Sequence, residues 1–227
     1  MASRTVEDYI KQIYQEQQPA PGQLVSLGRL ATAMEVVPGT VTTMVKALAE
    51  AGLVSYEPRQ GVRLTPAGEK LALHVLRRHR LIELFLVQVL KFDWSEVHAE
   101  AEELEHAVSD RLLERIDELL GRPGFDPHGD PIPSAAGEVA QPRLHPLNAA
   151  RPADRGVIAR IADQQAEFLR YATARGLVPG AEVVIQSVDV PGDSITLLVR
   201  GKSRTLGRAA AAGILVAWQP ETAASEL

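Results

Sequence analysis

The chain has 227 residues, of which 45% are hydrophobic and 23% are charged, and its net charge is −5. This length predicts two or three small domains, and no apolar run reaches the length of a membrane-spanning helix. The chain has no cysteine, which excludes disulfides, thiolate zinc sites, iron–sulfur clusters and a cysteine nucleophile. Any bound metal must therefore be held by nitrogen and oxygen, as suits divalent Mn, Fe, Co, Ni or Zn.

The charge is distributed unevenly along the chain. Residues 1–80 contain ten Lys or Arg and seven Asp or Glu, a net charge of +3, whereas residues 81–120 contain three against eleven, a net charge of −8. We expect the first segment to attract phosphate and the second to attract a divalent cation. The amino terminus is amphipathic and acidic, unlike a signal peptide, so we expect a cytoplasmic protein.

The first third of the chain predicts a winged helix-turn-helix. Apolar residues at helical spacing indicate a first helix from Val6 to about Gln17. A second helix, capped by Ser26, and a third helix, ended by Gly52, follow. Two short β-like runs, at 53–56 and 62–65, then flank a turn. Helix, turn, helix and hairpin in this order are typical of a DNA-binding domain.

The rest of the chain predicts a helical domain followed by a small β-barrel. One long helix is expected over 66–91 and a second over about 95–120, with Ser95 as its cap. A segment rich in Pro and Gly, from 121 to 155, has the composition of a linker, although a defined loop is an alternative. A short helix near 163–175 and several short strands follow. The chain is thus mainly α with small β parts, and we expect domains at 1–70, 71–142 and 143–227.

Acidic residues and histidines in the middle segment indicate a metal site. If residues 95–120 form one helix, four of these side chains project within a sector of about 100°; they are His98, Glu102, Glu105 and His106. On the preceding helix, His79 and Glu83 share a face because they are four residues apart. Like charges at these spacings disfavour a helix, and a bound cation would relieve the repulsion.

The third helix and the wing offer side chains suited to DNA. Short hydroxyls, a lysine and two arginines fit phosphates and base edges in a major groove. The candidates are Gly39, Thr40, Thr42, Thr43, Lys46, Arg59, Gln60 and Arg63.

Signals for catalysis are missing from the sequence. It contains no phosphate-binding loop, no Gly-x-Ser-x-Gly and no His-Glu-x-x-His, so we expect no enzyme. His128 and His145 lie in Pro-rich segments and are interpreted as incidental. Two alternatives stay open: a metalloenzyme that uses the carboxylate–histidine cluster, and a winged-helix regulator that responds to a small molecule.

Several motifs together resemble the diphtheria toxin repressor family of iron- and manganese-dependent regulators. The motifs are VEDYIKQIY at 6–14, GTVTTMVKALAEAGLV at 39–54, LTPAGE at 64–69, RRHRLIELFL at 77–86, VHAEAEELEH at 97–106 and PHGDPIP at 127–133. The resemblance covers nearly the whole chain. It implies a homodimer that binds an inverted-repeat operator in double-stranded DNA and has a carboxy-terminal FeoA-like domain. It also implies repression of genes for metal homeostasis, above all transporters.

The resemblance also implies two metal sites. The primary site would use Asp8, Glu102, Glu105 and His106. The ancillary site would use His79, Glu83 and His98, with Gln164 and Glu167 as candidate additional ligands from the last domain.

Departures from the family pattern bear on the metal. Iron-type members commonly carry Met at the position of Asp8 and Cys at that of Glu102. Carboxylates at both positions make the site harder and point toward Mn(II). Lys11 stands where manganese-type members often have Glu, so their binuclear arrangement is not implied. Fe(II) is the alternative activator, and Zn, Co, Ni or Cd would act as surrogates.

Overall fold

The structure is a computed structural model, and it describes residues 3–219. Contact density divides the chain into two compact units. The first contains the residues up to His79 together with Leu104–Ser109 and Pro133–Val139; the second contains Arg80–Glu103, Asp110–Ile132 and the residues from Ala140 onward. The predicted domain boundaries near 70 and 142 stay predictions. None of the described helices is long and apolar enough to cross a membrane.

The first unit contains the predicted winged helix. It consists of helices α1 (Arg4–Gln17), α2 (Leu27–Ala33) and α3 (Pro38–Glu50) and strands β1 (Val54–Glu57) and β2 (Gly61–Leu64). Ser26 caps α2 by accepting a hydrogen bond from the backbone N–H of Arg29, as predicted. The antiparallel strands β1 and β2 form the wing. The core of this unit consists of fully buried apolar side chains, among them Ile10, Ile13, Leu30, Val41, Val45, Leu48 and Val62.

The long helix predicted after the wing is present as α4 (Pro66–Gln88), but the single helix predicted over 95–120 is wrong. The chain forms α5 (Val97–Leu104) and α6 (Asp110–Leu119), separated by a turn at 105–109. In this turn the N–H groups of Ala107 and Val108 both bond to the carbonyl of Leu104. The predicted cap was also wrong, because Ser95 donates its own N–H and hydroxyl to Asp93. The turn has a physical cause: it buries Glu105 against partners that a continuous helix face would not give it.

The second unit contains a six-stranded sheet. Its strands are β3 (His145–Pro146), β4 (Arg155–Ile161), β5 (Glu182–Asp189), β6 (Ser194–Val199), β7 (Lys202–Gly207) and β8 (Ile214–Trp218). They are ordered β3-β8-β4-β5-β6-β7, and the helices α7 (Ala166–Arg175) and α8 (Arg208–Ala212) accompany them. Over residues 3–219 the strand pairing leaves β3 and β7 as edges, so it does not itself close the expected barrel. Sequence reasoning did not predict β4, because it lies where the Pro-rich segment ends.

The segment from 121 to 132 is an ordered loop that contains buried polar residues. Of the two alternatives that the sequence offered for it, a linker and a defined loop, the structure has the loop. Asp126 accepts hydrogen bonds from the N–H groups of His128 and Asp130, and the carbonyl of His128 accepts one from the N–H of Ile161 on β4. Gly129 has φ +87°, and a Cβ built there would lie 1.9 Å from the carbonyl oxygen of Ala159. Only glycine fits at this position, because the backbone itself approaches too closely.

We therefore expect Gly129→Ala to lower the thermal midpoint of unfolding strongly. The left-handed backbone alone costs a side chain about 1–2 kcal/mol, and the loop must also withdraw from β4. The matched control is Gly121→Ala, which has φ +77° but open space around the added Cβ. Equal midpoints for the two variants in calorimetry would contradict the close approach.

Candidate metal centre

Three of the four predicted primary ligands meet in the first unit. Oδ1 of Asp8 on α1 lies 2.9 Å from Nε2 of His106, and Oε1 of Glu105 lies 3.3 Å from the same nitrogen. One ligand atom from each residue falls within 4.8 Å of the other two. The turn at 105–109 and α1 thus bring two carboxylates and one imidazole together, although Asp8 is almost a hundred residues from Glu105 and His106.

Glu105 is the most buried member of this centre, with 1% of its surface exposed. Its Oε1 accepts a hydrogen bond from Nζ of Lys11 at 2.7 Å, and its Oε2 lies 2.7 Å from Nδ1 of His79. Burial alone raises the pKa of Glu105, but the hydrogen bonds and charges of His79 and Lys11 outweigh burial and hold the pKa below its ordinary value. The carboxylate is therefore ionised at neutral pH, the form that binds a cation.

His106 is oriented by a partner on the opposite edge of its ring. Nδ1 lies 2.8 Å from Oε2 of Glu7, and the other oxygen of Glu7 is 3.7 Å from the Arg78 guanidinium. A carboxylate only accepts hydrogen bonds, so Nδ1 donates to Glu7, and the other ring nitrogen, Nε2, faces Asp8 and Glu105. Histidines that bind metals are held in this way.

The donor set fits a hard divalent metal. Nε2 of His106 and Oδ1 of Asp8 are both buried, yet at 2.9 Å their alignment is not that of a hydrogen bond. Two ligand atoms that converge without bonding each other suit a shared cation. Carboxylate oxygens with one imidazole favour Mn(II) or Fe(II) over soft ions.

The remaining metal candidates lie in the second unit, apart from His79. Glu102, the fourth predicted primary ligand, is on α5, with its carboxylate 3.6 Å from Nε2 of His98. Nδ1 of the exposed His98 is 3.3 Å from Oε1 of the buried Glu83. The structure thus groups Glu83, His98 and Glu102 within this unit.

A buried cluster that sequence reasoning missed lies on the other side of Glu83. Oε2 of Glu83 is 3.8 Å from Nδ1 of His128, and Asp126 completes a group that could hold a metal ion. Nε2 of His128 bonds to the carbonyl of Trp94, and its ring stacks on that indole. His128 was interpreted as incidental, yet only 1% of it is exposed. The signal available in the sequence was the three polar residues at alternate positions in DPHGD, residues 126–130.

Buried charges lie close together in this cluster. Burial and the neighbouring carboxylates of Asp130 and Glu83 raise the pKa of Asp126 to about 7. Burial opposes charge on His128, but the nearby carboxylates of Glu83 and Asp126 raise its pKa above the ordinary value. The cluster therefore attracts positive charge, either protons or a metal ion.

Two predicted ancillary ligands have other surroundings. The amide of Gln164 donates a hydrogen bond to Oδ2 of Asp130 at 2.5 Å. Glu167 is exposed in the first turn of α7 and belongs to none of the metal-binding groups found among the described residues.

The predicted DNA-contacting residues lie on the surface of the winged helix. All are exposed except Thr42, which is half-buried. The hydroxyls of Thr42 and Thr43 bond back to the carbonyls of Pro38 and Gly39. Arg59 has φ +67° in the tight turn of the wing. The start of α3 has no side-chain cap; Pro38 has no N–H, and the N–H of Thr40 bonds to the carbonyl of Val37.

Sequence reasoning did not predict the contacts of Glu7 and Lys11, two residues of α1 near Asp8. Both are buried although charged. Their spacing of four residues places Glu7 and Lys11 on one face of the helix, but the partners Glu105 and His106 are remote in sequence.

We expect Lys11→Met to lower the free energy of unfolding by about 3–5 kcal/mol, since removing one partner leaves a buried carboxylate uncompensated. Lys70→Met, which replaces an exposed lysine on α4, should change it little. Denaturant titrations of both variants measure the difference. Equal stabilities would show that Lys11 does not compensate Glu105.

Comparisons with known proteins identify related domains along the chain. Three family models match in succession: the iron-dependent repressor N-terminal DNA-binding domain at 1–62, the metal-binding and dimerisation domain of iron-dependent repressors at 65–134, and the FeoA domain at 145–217.

Individual proteins from this group of regulators are also similar to this chain. The iron-dependent repressor IdeR of Mycobacterium tuberculosis is 29% identical over 211 residues, which cover 87% of this chain and 89% of IdeR. The diphtheria toxin repressor of Corynebacterium efficiens is 35% identical over 132 residues, 58% of this chain and 56% of that protein. A solved structure of a manganese-dependent transcriptional repressor in complex with manganese has a TM-score of 0.85 and 40% identity, and it covers 94% of this chain and 100% of its own. This chain therefore belongs to the diphtheria toxin repressor family of metal-dependent regulators.

Proposed function

We propose that this protein is a metal-activated repressor of transcription that senses Mn(II) in the cytoplasm and controls genes for metal homeostasis, above all transporters. The observation that carries the proposal is the convergence of Asp8, Glu105 and His106 in the same compact unit as a winged helix. A metal centre and a DNA-binding surface in one unit suit a regulator better than an enzyme.

The choice of Mn(II) rests on the ligands. Asp8 and Glu102 offer carboxylates at positions where iron-type members commonly carry sulfur ligands, and hard oxygen ligands favour Mn(II). The similarity to a repressor solved with manganese supports the same choice. Fe(II) is the alternative, because IdeR relatives are similar over most of the chain.

The residues of the primary site act through α1. Asp8, Glu105 and His106, with Glu102 as the predicted fourth ligand, would hold the ion, which supplies the positive charge that offsets their carboxylates. α1 also buries Ile10 and Ile13 in the core of the winged helix. Because α1 is packed against that core, an ion that fixes α1 to the turn at 105–109 also restricts the orientation of α3 relative to that turn. A ligand that favours one arrangement shifts the population toward it.

The DNA-binding form would be a homodimer on an inverted repeat. Two-fold symmetry of the protein matches two half-sites, each read by one α3. The second unit exposes large apolar side chains suited to self-association, including Leu90, Phe92, Leu112, Leu119 and Phe125. Phosphates and base edges would be contacted from the exposed residues of α3 and the wing.

We place the ancillary ion around Glu83. The family pattern supplies His79, Glu83 and His98 for this site, with Gln164 and Glu167 less favoured by their surroundings. Asp126 and His128 are additional ligand candidates, because they face the second oxygen of Glu83 inside the protein.

The direct test is a gel-retardation titration of a palindromic operator with Mn(II), anaerobic Fe(II) and Zn(II), each with a chelator control. We expect Mn(II) to induce binding and the chelator to reverse it. Glu105→Gln and His106→Ala should raise the Mn(II) concentration needed for half-maximal binding by at least about 10–100-fold, the usual cost of losing even an outer partner of a ligand.

Glu100→Gln is the matched control, because it removes an exposed carboxylate from α5, and it should leave the titration unchanged. Activation by Fe(II) alone would assign the iron alternative. Retardation that ignores every metal and the chelator would overturn the proposed function.

The DNA surface is tested separately. Lys46→Ala should weaken binding to all sequences about equally and lower the slope of log affinity against log salt by about 1, because one phosphate contact is lost. Its metal affinity should be that of the unmodified protein. An unchanged salt slope would place Lys46 outside the interface.

A further inference from the structure

Glu7 is a buried charged residue that the metal ligand set does not use. It lies next to Asp8 on α1, and only 7% of its surface is exposed. Oε2 lies 2.8 Å from Nδ1 of His106, and Oε1 lies 3.7 Å from Nη1 of Arg78 on α4. The carboxylate therefore stands between an imidazole and a guanidinium, both of which are also largely buried.

This contact decides which nitrogen of His106 carries the proton. A carboxylate only accepts hydrogen bonds, so this contact requires a proton on Nδ1. Nε2 is then the ring atom left for the ion, and it lies 2.9 Å from Asp8 and 3.3 Å from Glu105. The opposite tautomer would place a proton where the ion must bind.

We propose that Glu7 is a positioning residue of the primary metal site: it fixes the tautomer and the ring direction of His106, and Arg78 holds it in place. This inference rests on the proposed function, since it concerns the same site. One turn of α1 thus supplies a ligand, Asp8, and the partner that orients another ligand. Partners of this kind contribute about 10–100-fold to metal affinity.

A purely structural role makes a different prediction. If Glu7 only compensates Arg78, its removal lowers stability but leaves the ring of His106 with the same proton. The tautomer of His106 and the metal affinity therefore separate the two roles, whereas a melting temperature does not.

The experiment compares Glu7→Ala, Glu7→Gln and the control Glu16→Gln, which removes a carboxylate of α1 that pairs with Arg29 instead. The ring nitrogens are observed by long-range 1H–15N NMR in chelator-treated full-length protein, with His106→Ala used to assign the signal. Mn(II) affinity is measured by titration calorimetry on the same samples.

We expect the unmodified protein and Glu16→Gln to carry the proton on Nδ1. Glu7→Ala should populate the other tautomer and bind Mn(II) about 10–100-fold more weakly. Glu7→Gln should restore much of both properties, because its amide oxygen still accepts from Nδ1.

Two results would overturn the inference: an unchanged tautomer of His106 in Glu7→Ala, or an Mn(II) affinity of Glu7→Ala within about twofold of that of Glu16→Gln. If instead the proposed function is wrong, the unmodified protein will bind neither Mn(II) nor Fe(II). In that case the NMR comparison still decides whether Glu7 sets the tautomer of His106.

Discussion

The carboxylate of Glu105 is the constraint around which the first unit is arranged. An ionised group with 1% exposure is costly unless its oxygens are paired. Lys11 from α1 takes one oxygen and His79 from α4 approaches the other. These two contacts tie the turn at 105–109 to two helices far away in sequence. The same turn carries His106, so satisfying one buried charge also positions the metal centre.

The centre is therefore more than a set of ligands. Glu7, Asp8 and Lys11 lie within one and a half turns of α1 and contact the same turn of chain. Glu83 has a related position in the second unit, where its two oxygens face His98 and His128. In both places an acidic residue has imidazole neighbours. This arrangement makes the local charge sensitive to cations, as a metal-responsive regulator requires.

Local signals predicted the elements that depend on neighbouring residues. Ser26 as a cap, Gly52 after α3 and the two short β-like runs predicted α2, α3, β1 and β2, and the bounds of both strands were within one residue of those in the structure. The same reasoning extended one helix through 105–109, because Glu105 and His106 have no local preference against it. It thus grouped Glu105 with His106 correctly, but for the wrong reason: α5 ends at Leu104, and these two residues do not share a helix face with His98.

Composition and motif spacing alone determined that the chain has no cysteine, so that any metal ligands must be nitrogen and oxygen atoms. They also determined the winged helix and the acidic middle segment. These properties depend only on residue types and on short distances along the chain. Only the tertiary structure decided which ligands meet, that Glu7 and Lys11 are their partners, and that His128 is buried beside Glu83. The physical reason is that the partner of a buried charge is chosen by proximity in space, and residues 7 and 106 become neighbours only when the chain has folded.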